Sequence, residues 1–390
     1  MKVFVIAGEP SGDKLGGALM DGLNLLVPDV VFDGIGGPLM QAQGLESLFP
    51  MNELSLMGIA EILPKYRHLK RRIRQTADAI ISAKPDVLIT IDSPDFCLRV
   101  ARLVKAGSNI RTVHYVAPTV WAWRAGRAAK MAQVIDQVLA LFPFERPFME
   151  AEGMRCDFVG HPVATELEVS REEKDAFVAK TGVARDANTV VVLPGSRRSE
   201  IERLSETFVQ AITKAKVENK QVIIPTLPHL REKVEAVFKP MLNDCNGVLV
   251  DGAGLGAKEA ARERLVAMSV ADVALAASGT VSLELAAART PMVIAYDMSW
   301  LSRQIISRML LTDTVTLVNL VSETRVVPEF IGQNCQPLLI ADALTAVNKS
   351  PDEQLNALDV TMDLLGRGGE APGLRAARAV LSGLEKTSGE

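Results

Sequence analysis

Short apolar runs of strand length recur along the whole of this chain, and helix-patterned segments fill the intervals between them. The runs fall at Val3–Ala7, Val31–Ile35, Val87–Ile91, Thr112–Val116, Gln137–Leu141 and Asp157–Val159, then at Thr189–Leu193, Gln221–Pro225, Gly247–Val250, Val273–Ala276, Met292–Ala295 and Thr314–Val318. Such alternation predicts an α/β fold with parallel sheets built from βαβ units. It happens twice, on either side of the polar stretch "EVSREEKDAFVAKTGVARDANT". At 390 residues the chain exceeds what one core usually holds. Two doubly wound, Rossmann-like domains facing a cleft are expected, over residues 1–168 and 169–345, followed by a helical tail over 346–390.

Composition narrows the function classes. Apolar residues make up 48% and charged residues 23%, which suits a packed protein rather than a disordered one. A net charge of -4 argues against general nucleic-acid binding. Cys97, Cys156, Cys245 and Cys335 stand singly, so reduced thiols in a cytoplasmic setting are expected, with no structural metal site. No signal peptide and no apolar run of about 18 residues is visible, so the chain is expected to touch a membrane rather than span one.

The loop "AGEPSGDKLGG" follows the first run, where a dinucleotide fingerprint would sit. Its glycines do not form GxGxxG, and Glu9 and Asp13 would repel a pyrophosphate. Glu9, Ser11, Gly12 and Asp13 therefore either shape the turn, with Ser11 or Asp13 capping the helix, or face an acceptor substrate; the residues leave both open.

"IDSPDF" places Asp92 and Asp95 at the carboxyl end of a strand, where α/β folds carry chemistry. Asp92 follows the strand directly and is the first candidate for a general base, although physics alone does not separate it from Asp95. "HYVAPTVWAWRAGR" sets Trp121 and Trp123 beside Arg124 and Arg127, a wall for an apolar or sugar-bearing cleft, while His114 reads as a core histidine.

The second half carries the anion chemistry. "LPGSRRSEI" ends a strand in Gly195 and Ser196 and opens a helix at Arg197 and Arg198, combining backbone amides with guanidinium groups. "ASGTVSLE" repeats the logic: Ser278, Gly279 and Thr280 make the turn, and Glu284, one turn into the helix, can accept ribose hydroxyl protons. Finally, Leu56, Met57, Ile59, Ile62 and Leu63 precede a helix bearing Arg67, Lys70 and Arg71, a pairing suited to an anionic lipid surface or to a helix with one buried and one solvated face.

In order along the chain stand "AGEPSGD", "GIGGPLMQAQG", "MGIAEILP", "IDSPDF", "HYVAPTVWAWR", "PFE", "VGHP", "LPGSRRSEI", "ASGTVSLE" and "TLVNLVSE". This series resembles the lipid-A-disaccharide synthase family of bacterial glycosyltransferases, from about residue 3 to 340. The resemblance implies a GT-B fold with the donor nucleotide in the C-terminal domain and neither cofactor nor catalytic metal. It implies transfer from UDP-2,3-diacylglucosamine to 2,3-diacylglucosamine 1-phosphate (lipid X), giving UDP and a β-1,6-linked disaccharide phosphate by inversion. By position, Asp92 resembles the base and Arg197 the diphosphate contact, with Arg198 a weaker one. Ser278, Gly279, Thr280, Glu284 and Asn319 fall in the uridine-diphosphate pocket. Peripheral association with the cytoplasmic face of the inner membrane is implied too, as is a homodimer in which the tail crosses back or is exchanged. A UDP-sugar epimerase of the same fold is the nearest rival; it needs no lipid surface. An NAD oxidoreductase lacks its fingerprint, and a simple lipid-binding protein would need neither anion loop.

Overall fold

The computed structural model describes residues 1–54, 59–121, 126–184, 186–298 and 312–387, with side chains from 67 in the helix that begins at Ile59 and up to 385 at the C-terminal end. It divides into two compact units, Met1–Thr165 with Leu365–Glu390, and Glu166–Leu364.

In the first unit the strands are β1 (Lys2–Ala7), β2 (Val31–Ile35), β3 (Glu46–Ser47), β4 (Val87–Ile91), β5 (Arg111–Tyr115), β6 (Gln137–Ala140) and β7 (Arg155–Phe158). They form a parallel sheet in the order β3-β2-β1-β4-β5-β6-β7. Helices α1 (Pro10–Leu26), α2 (Pro38–Gln41), α3 (Ile59–Ala83), α4 (Pro94–Gly107), α5 (Gly126–Ala132) and α6 (Arg146–Glu150) connect them. Every residue of β4 is buried, as expected of a central parallel strand covered on both faces.

The second unit holds β8 (Asn188–Leu193), β9 (Lys220–Pro225), β10 (Val248–Val250), β11 (Val273–Ala276), β12 (Met292–Tyr296) and β13 (Glu329–Ile331), ordered β10-β9-β8-β11-β12-β13. Its helices are α7 (Arg171–Thr181), α8 (Arg198–Lys214), α9 (Arg231–Asp244), α10 (Ala257–Ser269), α11 (Val281–Ala287), α12 (Leu317–Val321), α13 (Pro337–Lys349) and α14 (Asp352–Leu364). The last helix, α15 (Pro372–Thr387), belongs to the first unit.

The tail, expected as one piece from 346, is thus divided. Ile340, Ala341, Leu344 and Val347 of α13 join the second core, and Gln354 of α14 bonds both backbone groups of Met292. Past Leu365 the chain returns to the first unit and lays α15 on α1. Small residues make this possible: a Cβ on Gly22 would stand 2.9 Å from the carbonyl oxygen of Gly373 and 3.1 Å from the Ala377 Cβ. Gln137 Nε2 donates to the Ala379 carbonyl at 2.9 Å, and Arg375 Nη2 donates to that of Phe158 at 2.9 Å.

One expected strand, Thr314–Val318, is absent. Its β-branched residues suggest a ladder, but the amides of Val315 and Thr316 donate to the Glu329 carboxylate at 3.1 and 2.8 Å. A side chain takes the place of a neighbouring strand, and α12 begins at Leu317. The edge strand beside β12 is β13, too short to announce itself in the sequence.

Candidate functional site

β8 and β11 are neighbours at the point where the second sheet reverses its strand order. Ligands in open α/β sheets bind at such a point, beyond the carboxyl ends of the strands. The loops leaving these two strands line a cavity of about 450 Å³. Gly195, Ser196 and Arg197 come from one loop, Ser278, Gly279 and Thr280 from the other, and Glu284 from α11.

The two loops offer different chemistry. The amides of Ser196 and Arg197 both donate to Glu200 Oε2, at 3.0 and 3.2 Å. That corrects the expectation that this turn presents its amides to a phosphate: Glu200, three residues into the helix start, already holds them. Gly195 has φ +123°, and a Cβ there would meet Glu200 Oε2 at 2.5 Å, so the turn requires glycine. What this loop keeps for an anion is the Arg197 guanidinium, 64% exposed and 3.8 Å from Glu200 Oε1. In the second loop, by contrast, the amides of Ser278, Gly279 and Thr280 donate to no group among the described residues.

Three wall residues carry no motif that would mark them in the sequence: Thr226, Arg264 and Met268. Arg264 Nη2 lies 3.0 Å from Glu284 Oε2, so the carboxylate expected on a ribose is held by a cation in the wall. Thr226 Oγ1 is buried without a protein partner, which leaves it to a polar group of a ligand.

In the first unit, Asp92 closes β4. Asp92 and Ser93 have φ of +49° and +44°, two successive left-handed residues without glycine. Such a conformation costs about 1–3 kcal/mol per residue and marks functional turns. The Asp92 amide donates to the Tyr115 carbonyl at 3.0 Å, while its half-buried carboxylate makes no hydrogen bond or ion pair among the described residues. A strand-end carboxylate so placed can accept a proton from an attacking hydroxyl.

The family profile of lipid-A-disaccharide synthetase matches residues 3–371. The chain belongs to that family. It is 58% identical over 388 residues to the lipid-A-disaccharide synthase of Ruegeria pomeroyi, covering 98% of this chain and 96% of that one. The synthase of Pseudomonas aeruginosa is 37% identical, with 99% of each covered. The chain is therefore a glycosyltransferase of lipid A disaccharide synthesis. Among solved structures, the UDP-GlcNAc 2-epimerase of Neisseria meningitidis has a TM-score of 0.61 at 12% identity, covering 99% of this chain and 100% of that one. MurG of Acinetobacter baumannii has a TM-score of 0.57 at 13% identity, with 99% of each covered. These likenesses concern the fold, which is GT-B; the epimerase rival shares no more than that with the synthetase family.

Other sequence candidates of the synthetase lie elsewhere. Asn319 does not line the cavity: it is buried, its Nδ2 donates to the Val327 carbonyl at 3.0 Å and its Oδ1 accepts the Val327 amide at 3.0 Å. It ties together the segment organised by Glu329. Arg198 is also outside the wall and pairs with Glu202 at 3.2 Å. Asp13 is buried and caps α2 rather than α1, accepting the amides of Gly37, Leu39 and Met40 at 2.9, 3.0 and 3.0 Å. Glu9 and Ser11 remain at the start of α1, Gly12 packs under it against Ala7, and neither Ser11 nor Asp13 caps that helix.

His114 is a core residue, with Nδ1 2.7 Å from Thr90 Oγ1, and burial holds its pKa down at about 4. Trp121 meets Phe144 edge-on at 5.3 Å; Trp123 and Arg124 lie outside the described residues. So do Leu56 and Met57, and the side chains of Ile59, Ile62 and Leu63. On α3, Arg67, Lys70 and Arg71 are exposed, whereas Arg72 turns inward to Glu53 at 2.7 Å. Among the described residues no helix is long and apolar enough to cross a membrane.

Proposed function

We propose that the chain joins UDP-2,3-diacylglucosamine to 2,3-diacylglucosamine 1-phosphate by a single inverting displacement. Two features support this reading: the first unit holds an unbonded strand-end carboxylate, Asp92, and the second a cavity whose wall supplies Arg197 and the unbonded amides of Ser278, Gly279 and Thr280.

Asp92 accepts the proton of the acceptor 6-hydroxyl as its oxygen bonds the donor anomeric carbon. The bond from that carbon to the diphosphate breaks, and UDP leaves as an anion. Arg197 and the three amides stabilise the charge that grows on the leaving group. Thr226 and the Arg264–Glu284 pair orient the nucleotide. Charge neutralisation falls to these groups, with no cofactor and no divalent metal.

The exposed Arg67, Lys70 and Arg71 seat the enzyme peripherally on anionic lipid at the cytoplasmic face of the inner membrane, together with Leu56, Met57, Ile59, Ile62 and Leu63. A homodimer would trade α15 between copies, since α15 docks on α1 through contacts that a second copy can make equally well. Incubation with both glycolipids in detergent and EDTA tests the central claim: disaccharide and UDP should form. No product, or full dependence on added divalent metal, would overturn it.

A further inference from the structure

The first unit contains a second cavity, of about 500 Å³, that the reaction scheme leaves unused. It opens beside the loops that leave the adjacent strands β4 and β5, on the edge of the sheet that carries Asp92. Four cations line it from two helices: Arg99 and Arg102 from α4, Arg127 and Lys130 from α5. Asp95 is its one carboxylate.

Arg99, Arg102 and Lys130 are exposed and form no ion pair among the described residues. Lys105, on the same helix as the two arginines, instead bonds Asp136 at 2.6 Å. Positions 95, 98, 99 and 102 share one helix face, so the arginines converge on the cavity rather than spreading around α4. Arg99, Arg102 and Lys130 around one hollow with one opposing carboxylate repel one another, and a multiply charged anion relieves that repulsion. Planar guanidinium pairs suit the oxygens of a phosphate.

We propose that this cavity binds a phosphomonoester, the 1-phosphate of the acceptor glycolipid. The assignment rests on the transferase reading above. Arg99 stands five residues into a helix that begins two residues after Asp92, about 7–8 Å along its axis. A hexose whose 6-hydroxyl meets Asp92 can therefore extend its 1-phosphate, which is carried on the other carbon bonded to the ring oxygen, toward Arg99 and Arg102. The cations then select the phosphorylated acceptor and hold its hydroxyl at the base.

The test crosses two enzymes with two acceptors. Wild type and the Arg99→Ala/Arg102→Ala double variant are assayed with the acceptor bearing its phosphate and with the same diacylglucosamine lacking it. The acceptor KM of the variant should rise at least tenfold for the phosphorylated acceptor and stay level for the other, with the donor KM unchanged. An unchanged KM for the phosphorylated acceptor, or an equal rise for both, overturns the assignment. Flotation of both proteins with phosphatidylglycerol vesicles separates the other source of phosphate. Equal binding is expected; weaker binding by the variant with an intact acceptor KM would make the cavity a phospholipid headgroup site and overturn the proposal. If wild type makes disaccharide but the variant's KM does not move, only the phosphate site falls. If wild type makes none from either acceptor, the transferase reading falls with it.

Discussion

Gly8 lies so close to Ser93 that a Cβ on the glycine would stand 2.6 Å from the serine Oγ. Ser93 is the second of the two left-handed residues that present Asp92, so the start of the chain braces the turn that carries the candidate base. The Ser93 hydroxyl can rotate aside, but the same Cβ would stand 3.2 Å from the Ser93 Cβ and 3.3 Å from the Leu54 Cβ, so Gly8→Ala should shift that turn. Because misplacing a reacting group by about 1 Å can cost on the order of 100-fold in rate, kcat should fall by at least tenfold while the melting temperature falls only modestly. Full kcat in the alanine variant would show that the brace does not position Asp92.

Asp92→Asn keeps the side-chain volume and removes the proton acceptor. Since the carboxylate makes no hydrogen bond among the described residues, the fold should survive. Turnover should drop by about 100- to 10,000-fold, the usual contribution of a general base. Circular dichroism and a UDP-release assay on the same sample decide the matter; normal turnover would remove Asp92 from the mechanism.

Asp13 should behave as a structural residue. Asp13→Ala strips a buried acceptor from three amides, and a buried unsatisfied group costs about 1–3 kcal/mol. Urea unfolding should show a loss of at least that size, and Asp13→Asn, which keeps one oxygen, a smaller one. A variant of unchanged stability with a raised acceptor KM would instead place Asp13 at the substrate.

Arg197 and Glu200 should separate cleanly. Arg197 is largely exposed, so Arg197→Ala should leave stability alone while raising the donor KM and lowering kcat by about 10- to 1,000-fold. Glu200→Ala should cost about 1 kcal/mol of stability through the lost cap at the start of α8. Thermal melts with and without UDP report both effects.

Stability should peak near pH 6.5. Burial pushes the Glu145 carboxyl up to about 8, although the amides of Phe142 and Leu141 bond it. It holds His161 down at about 4, aided by the Lys14 charge, and His114 likewise. Between about pH 4.5 and 8 the native state keeps a Glu145 proton that the unfolded chain has released, so stability falls as pH rises. Between about pH 6.5 and 4 the unfolded chain takes up two histidine protons that the native state refuses, so stability falls as pH drops. Above pH 6.5 the carboxyl alone acts, at about 1.4 kcal/mol per pH unit. Below it, two protons against one leave about the same slope with the opposite sign. Glu145→Gln should abolish the alkaline decline; a chemical-denaturation series across this range reads it directly.

The strands were legible because buried parallel strands are continuous apolar runs with turns at their ends, as "VLITIDSP" shows. Where a side chain replaces a ladder the signal misleads: Thr314–Val318 has strand composition, and only the three-dimensional approach of Glu329 reveals where its amides go. The two loops that line the cavity could be read because α/β folds place their ligand-facing loops at strand ends. The Glu200 cap was written in the sequence as well, three residues after Arg197, but its carboxylate can be weighed against a ligand only once the distances are known. Arg264 had no local signal, being one charge among several on α10, and what gives it a role is the nearness of Glu284.

The return of α15 to α1 has a temporal consequence. The second unit is an insertion within the first, so a chain emerging from the ribosome can complete the second unit before the first has all of its parts. Until α15 has emerged, the small-residue face of α1 around Gly22 lacks the helix that covers it. The half that carries Asp92 can therefore close only after α15 has been made, and a variant lacking α15 would have its second unit whole and its first unsealed.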